Sequence, residues 1–243
     1  FLKKPVKRDN PVFIMAGGFG TRLRPLTDNC PKPMLPVGDK PLLEHIIERF
    51  TKQGFWNFFI STHYLPAKIE DYFGDGSDLG VEIKYVHETT PLGTGGALSL
   101  LPKGAVQLPL ILMNGDVITD LDFSALLEHH SLRKADATMC LREQETTIAY
   151  GVVSTDKEYV TGMVEKPTYR HLINTGIYVL SPDCAQASRR EEKIDMPKLL
   201  ETRIGDGCKV AAYEFYGRWL DIGQIADYSK AEAMLRETDH GRQ

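Results

Sequence analysis

The sequence lacks the cysteine pairs, the long apolar runs and the positive charge excess that would assign it directly to several large classes of protein. Its four cysteines are Cys30, Cys140, Cys184 and Cys208, and none of them forms a C-x-x-C pair. This scatter argues against a thiolate zinc site or a dithiol redox motif. Dispersed, reduced cysteines are typical of cytoplasmic proteins, so we expect a cytoplasmic location.

No apolar run reaches the roughly 18 residues that a membrane-spanning helix needs, so we expect no membrane partner. The net charge of −4 lacks the basic excess of proteins that bind nucleic acid by general electrostatics, and we expect no nucleic-acid partner. His129 and His130 are adjacent on a predicted helix, where neighbouring side chains point about 100° apart. We therefore expect this pair at the surface rather than on a metal.

The first ten residues are charged, have no apolar period and lack the apolar core of a signal peptide. We expect residues 1–10 to be the end of a linker, and an upstream regulatory domain stays open. Residues 11–243 have no internal repeat and no polar linker. They are therefore expected to form a single domain, with two halves that meet near residue 134.

Strand-like and helix-like segments alternate along the first half of the chain. The predicted strands there are residues 12–15, 55–61, 81–86 and 108–113, and the predicted helices are residues 41–53, 66–73, 94–101 and 122–133, with Asp122 as an N-cap. The second half is richer in strands, predicted at residues 135–141, 151–154, 159–164, 172–180 and 209–215, with helices at 195–203 and 224–237. This order predicts an α/β fold whose mostly parallel sheet is covered on both faces.

Three loops follow predicted strands directly, at residues 16–27, 87–96 and 114–116. In open sheets of this kind, ligands bind outside the carboxyl ends of the strands. We therefore expect these three loops to share one site.

The first of these loops contains the run Gly17-Gly18-Phe19-Gly20-Thr21-Arg22. A dinucleotide site would need a helix to begin at once, and the four prolines at positions 25, 31, 33 and 36 prevent one. The Walker A pattern is also missing. What remains is an irregular loop whose glycines let backbone N–H groups approach phosphate, with Arg22, Arg24 and Lys32 as cations.

Seven runs of residues, in this order, resemble the sugar-1-phosphate nucleotidyltransferases, which are also called nucleoside-diphosphate-sugar pyrophosphorylases. The runs are G-G-F-G-T-R-L-R-P-L-T from Gly17, P-K-P-M-L-P-V from Pro31, P-L-G-T-G-G-A from Pro91, N-G-D from Asn114, E-K-P from Glu165, N-T-G-I-Y from Asn174 and W-L-D-I-G from Trp219. The resemblance extends from about residue 11 to about residue 235.

The resemblance implies a Rossmann-like mixed, mostly parallel sheet flanked by helices, with a nucleotide-binding half at about 11–134 and a sugar-binding half at about 135–243. It also implies an enzyme of the EC 2.7.7 class that joins an NTP to a sugar 1-phosphate, releases pyrophosphate and uses Mg²⁺. Attack on the α-phosphorus in line with the leaving pyrophosphate needs positioning and cationic stabilisation, and it needs no covalent nucleophile.

The resemblance also implies roles for individual residues. Arg22, Lys32 and Asp116 would be catalytic, and Asp116 and Asp221 would hold Mg²⁺. The nucleotide would be bound by Ala16, Gly17, Gly18, Gly20, Thr21, Glu88, Gly93 and Thr94. The sugar phosphate would be bound by Gly151, Glu165, Lys166, Asn174 and Thr175. The chemistry agrees at Asp116, because a carboxylate at the end of an apolar strand is costly unless it binds something.

Glu88 favours GTP as the nucleotide. Family members that use thymidine or uridine nucleotides commonly have glutamine at this position, whereas a carboxylate only accepts hydrogen bonds and suits the two adjacent donors of guanine. UTP and dTTP remain alternatives, and the sequence does not identify the sugar.

Two other classes of function stay open. One is a catalytically silent nucleotide-sugar-binding regulator, which the presence of Arg22, Lys32, Asp116 and Asp221 argues against. The other is a related glycosyltransferase, which would carry a D-x-D motif where this chain has Asn114-Gly115-Asp116. No hexapeptide repeat follows Glu237, so we expect nucleotidyl transfer alone, and a homo-oligomer stays open.

Overall fold

The computed structural model describes residues 6–187 and 192–240. The strands are β1 (Val12–Met15), β2 (Pro36–Val37), β3 (Lys40–Pro41), β4 (Asn57–Thr62), β5 (Glu82–His87), β6 (Leu110–Asn114), β7 (Val117–Thr119), β8 (Ala137–Thr147), β9 (Val152–Asp156), β10 (Tyr159–Val164), β11 (Thr168–Leu180), β12 (Val210–Glu214) and β13 (Trp219–Asp221). The helices are α1 (Leu42–Thr51), α2 (Pro66–Phe73), α3 (Gly93–Gly96), α4 (Phe123–Arg133), α5 (Pro182–Ala185), α6 (Met196–Gly205) and α7 (Ile225–His240).

Seven strands form the central sheet in the order β12-β8-β11-β6-β1-β4-β5. Only β11 runs antiparallel to its neighbours, β6 and β8, and the other pairs in this sheet are parallel. The predicted mixed, mostly parallel sheet is therefore confirmed. Strands from both predicted halves share this sheet, because β11 pairs directly with β6.

Alternate residues of each central strand pack on opposite faces of the sheet. On one face, Ile14 packs in a core with Phe50 and Phe123 from α1 and α4. On the other face, Phe13 packs in a core with Leu200 from α6. Because both faces are buried, the central strands are apolar throughout, and such strands can be recognised from sequence without alternation.

Most of the predicted elements are confirmed with small shifts at their ends. Asp122 is the N-cap of α4, because its carboxylate accepts hydrogen bonds from the N–H groups of Ser124 and Ala125. The predicted helix 94–101 was wrong in part: α3 has four residues, and a 3-10 turn follows over Ala97–Leu100.

Strands β8 and β11 are longer than predicted. Strand β8 continues to Thr147, and β11 begins at Thr168. These extensions are polar, and ion pairs between Arg170 and both Glu143 and Glu145 join them. His130 was expected at the surface, yet it is only 3% exposed, and its Nδ1 lies 2.9 Å from Thr138 Oγ1. A hydrogen-bonded partner in β8 lets the helix bury this imidazole against the sheet.

The predicted linker, residues 1–10, lies partly outside the described residues, which begin at residue 6. Arg8 donates its N–H to the carbonyl of Gly54 at 2.9 Å, and Asp9 accepts from Trp56 Nε1 at 3.0 Å. Asn10 donates to Pro109 O at 2.8 Å. Residues 8–10 thus pack on the body of the domain. Across the described ranges, no helix is both long and apolar enough to cross a membrane.

Candidate active site

The glycine-rich loop leaves β1 at the carboxyl edge of the sheet. Gly20 has a φ of 62°, a left-handed conformation, and a Cβ there would lie 2.9 Å from Thr27 Cγ2. The Thr27 hydroxyl donates to the carbonyl of Gly20 at 2.9 Å and folds the loop back on itself. Thr21–Leu23 form a single 3-10 turn. The prolines therefore prevent a continuous helix, as expected, and the loop is compact and irregular.

The loop after β5 lies against the glycine-rich loop. A Cβ on Gly17 would lie 2.7 Å from Glu88 Oε1 and 3.3 Å from His63 Cβ, so the backbone at Gly17 lies close to this carboxylate. Glu88 is 7% exposed, and its Oε2 accepts the N–H of Leu92 at 2.9 Å. One carboxylate oxygen therefore holds the loop, and the other faces Gly17.

An ion pair joins the segment after the glycine-rich loop to Asp116, which follows β6, and the side chains of its lysine and aspartate are 11% and 24% exposed. Lys32 Nζ lies 2.5 Å from Asp116 Oδ2, and Lys32 is only 9% exposed. Gly115 donates its N–H to Met15 O at 2.8 Å, which fixes the end of β6 beside the end of β1. The predicted catalytic lysine and the predicted metal ligand are thus in direct contact.

A short antiparallel ribbon brings Asp221 to Asp116. The ribbon pairs β7 with β13, with Asp221 opposite Val117, and Ile222 donates its N–H to the carbonyl of Asp116 at 2.9 Å. Burial raises the pKa of Asp221, and the negative charge of Asp116 raises it further, whereas Lys32 and Arg22 act in the opposite direction. Asp221 therefore lies in the electrostatic field of the predicted catalytic groups.

Arg22 completes this group of charges. Its guanidinium packs near Gly223, where a Cβ would lie 3.5 Å from Arg22 Nη1. Arg22 itself is exposed, and its positive charge acts to lower the pKa of Asp221. The structure therefore brings Arg22, Lys32, Asp116 and Asp221 together around the carboxyl ends of β1 and β6.

Gly93 and Thr94 lie in α3 and face the second half of the chain. Gly93 has a φ of 77°, and a Cβ there would lie 2.6 Å from Asp195 Oδ1. Thr94 Oγ1 accepts the N–H of Met196 at 2.8 Å. The Thr94 side chain is therefore engaged with α6, and the roles of both residues toward the nucleotide remain predictions.

Three of the predicted sugar-phosphate residues lie at the base of the β9–β10 hairpin. A Cβ on Gly151 would lie 3.0 Å from Glu165 Oε2, so these two residues are adjacent. Glu165 and Lys166 are both exposed, and Lys166 has a left-handed φ of 46°. Their exposed carboxylate and ammonium groups are available to a polar ligand.

The other two, Asn174 and Thr175, lie where β11 departs from regular pairing, between Asn174 and Tyr178. The Asn174 amide donates to the Tyr178 hydroxyl, and its Oδ1 accepts the N–H of Gly176 at 3.0 Å. Thr175 is 1% exposed, and its hydroxyl donates to Cys140 O at 2.8 Å. Thr175 is thus buried, whereas Asn174 is exposed, and the contact of either residue with a sugar remains a prediction.

Three residues near the site were not assigned a role from the sequence. Asn114 Oδ1 is buried without a hydrogen-bond partner, and a Cβ on Gly176 would lie 2.5 Å from Asn114 Nδ2. Trp219 Nε1 donates to the Thr175 carbonyl at 2.9 Å. The third is Asp195. Asn114 and Trp219 lie inside runs that resemble the family. Asp195 lies at the start of a predicted helix, but no signal in the sequence marks it as part of the site.

Two cavities of the described residues lie away from the predicted site. One cavity of about 310 Å³ lies among α1, β7 and α4, and another of about 470 Å³ lies between Arg8 and Glu128. None of the predicted site residues lines either cavity. The chemistry of the residues at the strand ends is therefore the better guide.

A substitution at Gly18 tests whether a ligand lies against the glycine-rich loop. A Cβ at Gly18 meets nothing within 4 Å, so Gly18→Ala should leave the unfolding midpoint unchanged. If nucleotide phosphates approach this backbone, the methyl group should raise the KM for the NTP by about tenfold or more, because it blocks close approach. Gly205→Ala, also open within 4 Å but remote in α6, is the matched control. An unchanged KM for Gly18→Ala would remove Gly18 from the binding site.

Comparison with known proteins assigns the family. Residues 12–238 match the family model described as Nucleotidyl transferase, and the chain belongs to that family. It is 36% identical over 229 residues to the mannose-1-phosphate guanylyltransferase of Mycobacterium tuberculosis, which covers 91% of this chain and 63% of that protein. The chain thus spans about three fifths of the length of this relative.

Two shorter proteins match almost end to end. The D-glycero-alpha-D-manno-heptose 1-phosphate guanylyltransferase of Campylobacter jejuni is 35% identical over 217 residues, which is 88% of this chain and 95% of that protein. The crystal structure of HddC from Yersinia pseudotuberculosis complexed with GMP-PN superposes with a TM-score of 0.73 at 28% identity, and covers 93% of this chain and 99% of that one. The fold expected from the resemblance is therefore confirmed.

Proposed function

We propose that this protein transfers GMP from GTP to a sugar 1-phosphate and releases pyrophosphate. The observation that carries the proposal is the partly buried Lys32–Asp116 pair, which lies beside Asp221 and next to the glycine-rich loop. Cations, acidic groups and close-approach glycines meet at the carboxyl edge of the sheet, where ligands of open α/β sheets bind.

The charged groups of the site suit an in-line displacement at the α-phosphorus. Backbone N–H groups of the glycine-rich loop hold the triphosphate, and Arg22 grips the β- and γ-phosphates with its planar guanidinium. Lys32 is held by Asp116 and supplies a fixed positive charge near the α-phosphate. Such fixed charges stabilise the transition state because they need no reorganisation as negative charge develops.

The two aspartates fit a divalent cation. Oδ1 of Asp116 and Oδ1 of Asp221 are both buried without a hydrogen-bond partner, and like charges in such positions call for a counter-ion. Two carboxylates complemented by phosphate oxygens and water are a common ligand set for Mg²⁺. When bound, Mg²⁺ would neutralise charge on the phosphates, and Asp116 and Asp221 would hold it.

The choice of GTP rests on Glu88 and on the relatives. Glu88 is buried beside Gly17, but Leu92 engages one of its oxygens, so we assign to it one contact with the base rather than two. The relatives named as guanylyltransferases and the HddC structure with GMP-PN support the same nucleotide. Mispaired polar groups are strongly penalised in a dry pocket, which gives Glu88 a role in excluding other bases.

For the second substrate we propose a manno-configured hexose or heptose 1-phosphate. The names of the M. tuberculosis and C. jejuni relatives support this class. In this protein Glu165 would accept hydrogen bonds from sugar hydroxyls, and Lys166 would bind the phosphate. The backbone of Gly151 would contact the sugar beside Glu165.

A cytoplasmic location is part of the proposal, and the four unpaired cysteines support it. A homo-oligomer and an upstream regulatory domain stay open.

A grid of substrates tests the function. Initial rates of pyrophosphate release should be highest for GTP with mannose 1-phosphate or a manno-heptose 1-phosphate, when GTP, ATP, UTP, CTP and dTTP are each combined with several sugar 1-phosphates and Mg²⁺. A clearly faster reaction with UTP or dTTP would overturn the assignment of Glu88 to guanine. If the protein binds a nucleotide but releases pyrophosphate with no combination of NTP and sugar 1-phosphate, the result would instead support the catalytically silent regulator.

A further inference from the structure

Reciprocal hydrogen bonds join the N-terminus of α6 to the loop that contains Gly93 and Thr94. Asp195 is the N-cap residue of α6, a position where aspartate normally accepts an N–H of its own helix. Here its carboxylate makes no such bond, and Oδ1 accepts the N–H of Thr94 at 3.2 Å instead. In return, Thr94 Oγ1 accepts the N–H of Met196, the first residue of α6, at 2.8 Å.

Further contacts tie the same two segments together. Ile194 donates its N–H to Leu92 O at 2.8 Å, and its carbonyl accepts the N–H groups of Gly95 and Gly96, both at 2.9 Å. The left-handed Gly93 has Asp195 Oδ1 and Ile194 O against its Cα, which leaves no room for a side chain. The contacts with residues 194–196 therefore fix the conformation of the loop at 92–96.

We propose that Asp195 is a positioning residue for the nucleotide. It contacts the loop and not the reacting atoms, and it acts through the backbone of Thr94 and Gly93. This proposal rests on the proposed function, because that function assigns the loop to the nucleotide.

Two positions of the loop at 92–96 are held by carboxylates from different halves of the chain. Glu88, from the first half, accepts the N–H of Leu92, and Asp195, from the second half, accepts the N–H of Thr94. If Asp195 is lost, the Thr94 N–H loses its acceptor and the left-handed turn at Gly93 loses one of its supports. The nucleotide should then bind a loop that has to be ordered first, which weakens its apparent affinity.

Three substitutions at Asp195 separate positioning from general stability. Asp195→Ala should raise the Kd for GTP by about tenfold, since a hydrogen bond to a charged group is lost. Asp195→Asn keeps the acceptor oxygen and should stay within about threefold of wild type. Asp195→Glu keeps the charge but displaces the oxygen by one methylene, and should also weaken GTP binding. The Kd for the sugar 1-phosphate should change by less than about twofold in all three.

Asp136→Ala is the matched control, because Asp136 Oδ2 accepts the N–H of Lys209 at 2.7 Å in another link between segments distant in the chain. It should lower the unfolding midpoint without changing the Kd for GTP. Calorimetric titration of the folded variants with GTP gives these constants independently of turnover. A folded Asp195→Ala or Asp195→Glu that binds GTP as tightly as wild type would overturn the role of Asp195. Absence of pyrophosphate release by wild type would overturn the proposed function instead.

Discussion

Replacement of Lys32 by glutamine should reduce kcat for pyrophosphate release by about a hundredfold to a thousandfold. The positive charge of Lys32 is fixed by Asp116 and is shielded from water, and it would act on an α-phosphate that gains negative charge in the transition state. Glutamine can still donate a hydrogen bond to Asp116, so the variant should fold. Alanine would leave the buried carboxylate without a partner, and the loss of stability would obscure the result.

Lys40→Gln is the matched control, because Lys40 forms ion pairs with Glu44 and Glu48 away from the predicted site. It should leave kcat and both KM values unchanged. Rates should be measured at saturating GTP and sugar 1-phosphate, together with the unfolding midpoint of each variant. A Lys32→Gln enzyme that folds and turns over at the wild-type rate would remove Lys32 from the catalytic group.

Asp116→Asn and Asp221→Asn should each reduce turnover by roughly a thousandfold, since several kcal/mol of charge stabilisation depends on the pair. The double variant should be little worse than either single variant, because residues that act as a unit are not additive. Mg²⁺ should raise the unfolding midpoint of the wild type and should lose this effect in both single variants.

In the absence of metal, the substitution of Asp221 should instead stabilise the folded protein. Because the folded pKa of Asp221 is raised, its ionisation destabilises the fold, and this loss of stability develops as the pH rises from the ordinary pKa of aspartic acid through the raised one. In chelator near neutral pH, Asp221→Asn should therefore unfold at a higher temperature than wild type. This difference should disappear at acid pH, below the ordinary pKa of aspartic acid. Asp120→Asn, which breaks an ion pair with Arg218 on the same ribbon, should not alter the response to Mg²⁺.

The elements that can be read from the sequence are those with a strong local signal. Strand β6 is a short apolar run that ends in Asn114-Gly115-Asp116, and its burial on both faces explains that composition. Helix α4 has an Asp cap and an apolar stripe, and both features are local. The glycine-rich loop is marked by glycines and prolines together. These signals place Asp116 directly after β6 and Lys32 in the proline-rich segment that follows the glycine-rich loop. In the fold the two side chains meet in an ion pair.

The rest depends on pairing between distant segments. Strands β7 and β13 have three residues each, too few for a period to show, and they form only because they pair with each other. That pairing places Asp221 beside Asp116. The bond from Asp195 to Thr94 likewise joins two segments that carry no local sign of each other. For Glu88, the sequence suggests an acceptor for guanine, but only the fold reveals that Leu92 engages one of its oxygens.

The measurement that tests the central claim most directly is ³¹P NMR of the wild-type protein with GTP, Mg²⁺ and mannose 1-phosphate or a manno-heptose 1-phosphate. Loss of GTP should be matched by equal amounts of pyrophosphate and a GDP-sugar. The bond between the α-phosphorus of GTP and the α–β bridging oxygen is broken, and the phosphate oxygen of the sugar 1-phosphate bonds to the α-phosphorus. Orthophosphate and GDP as products, or no change in any GTP signal with folded protein, would contradict the account.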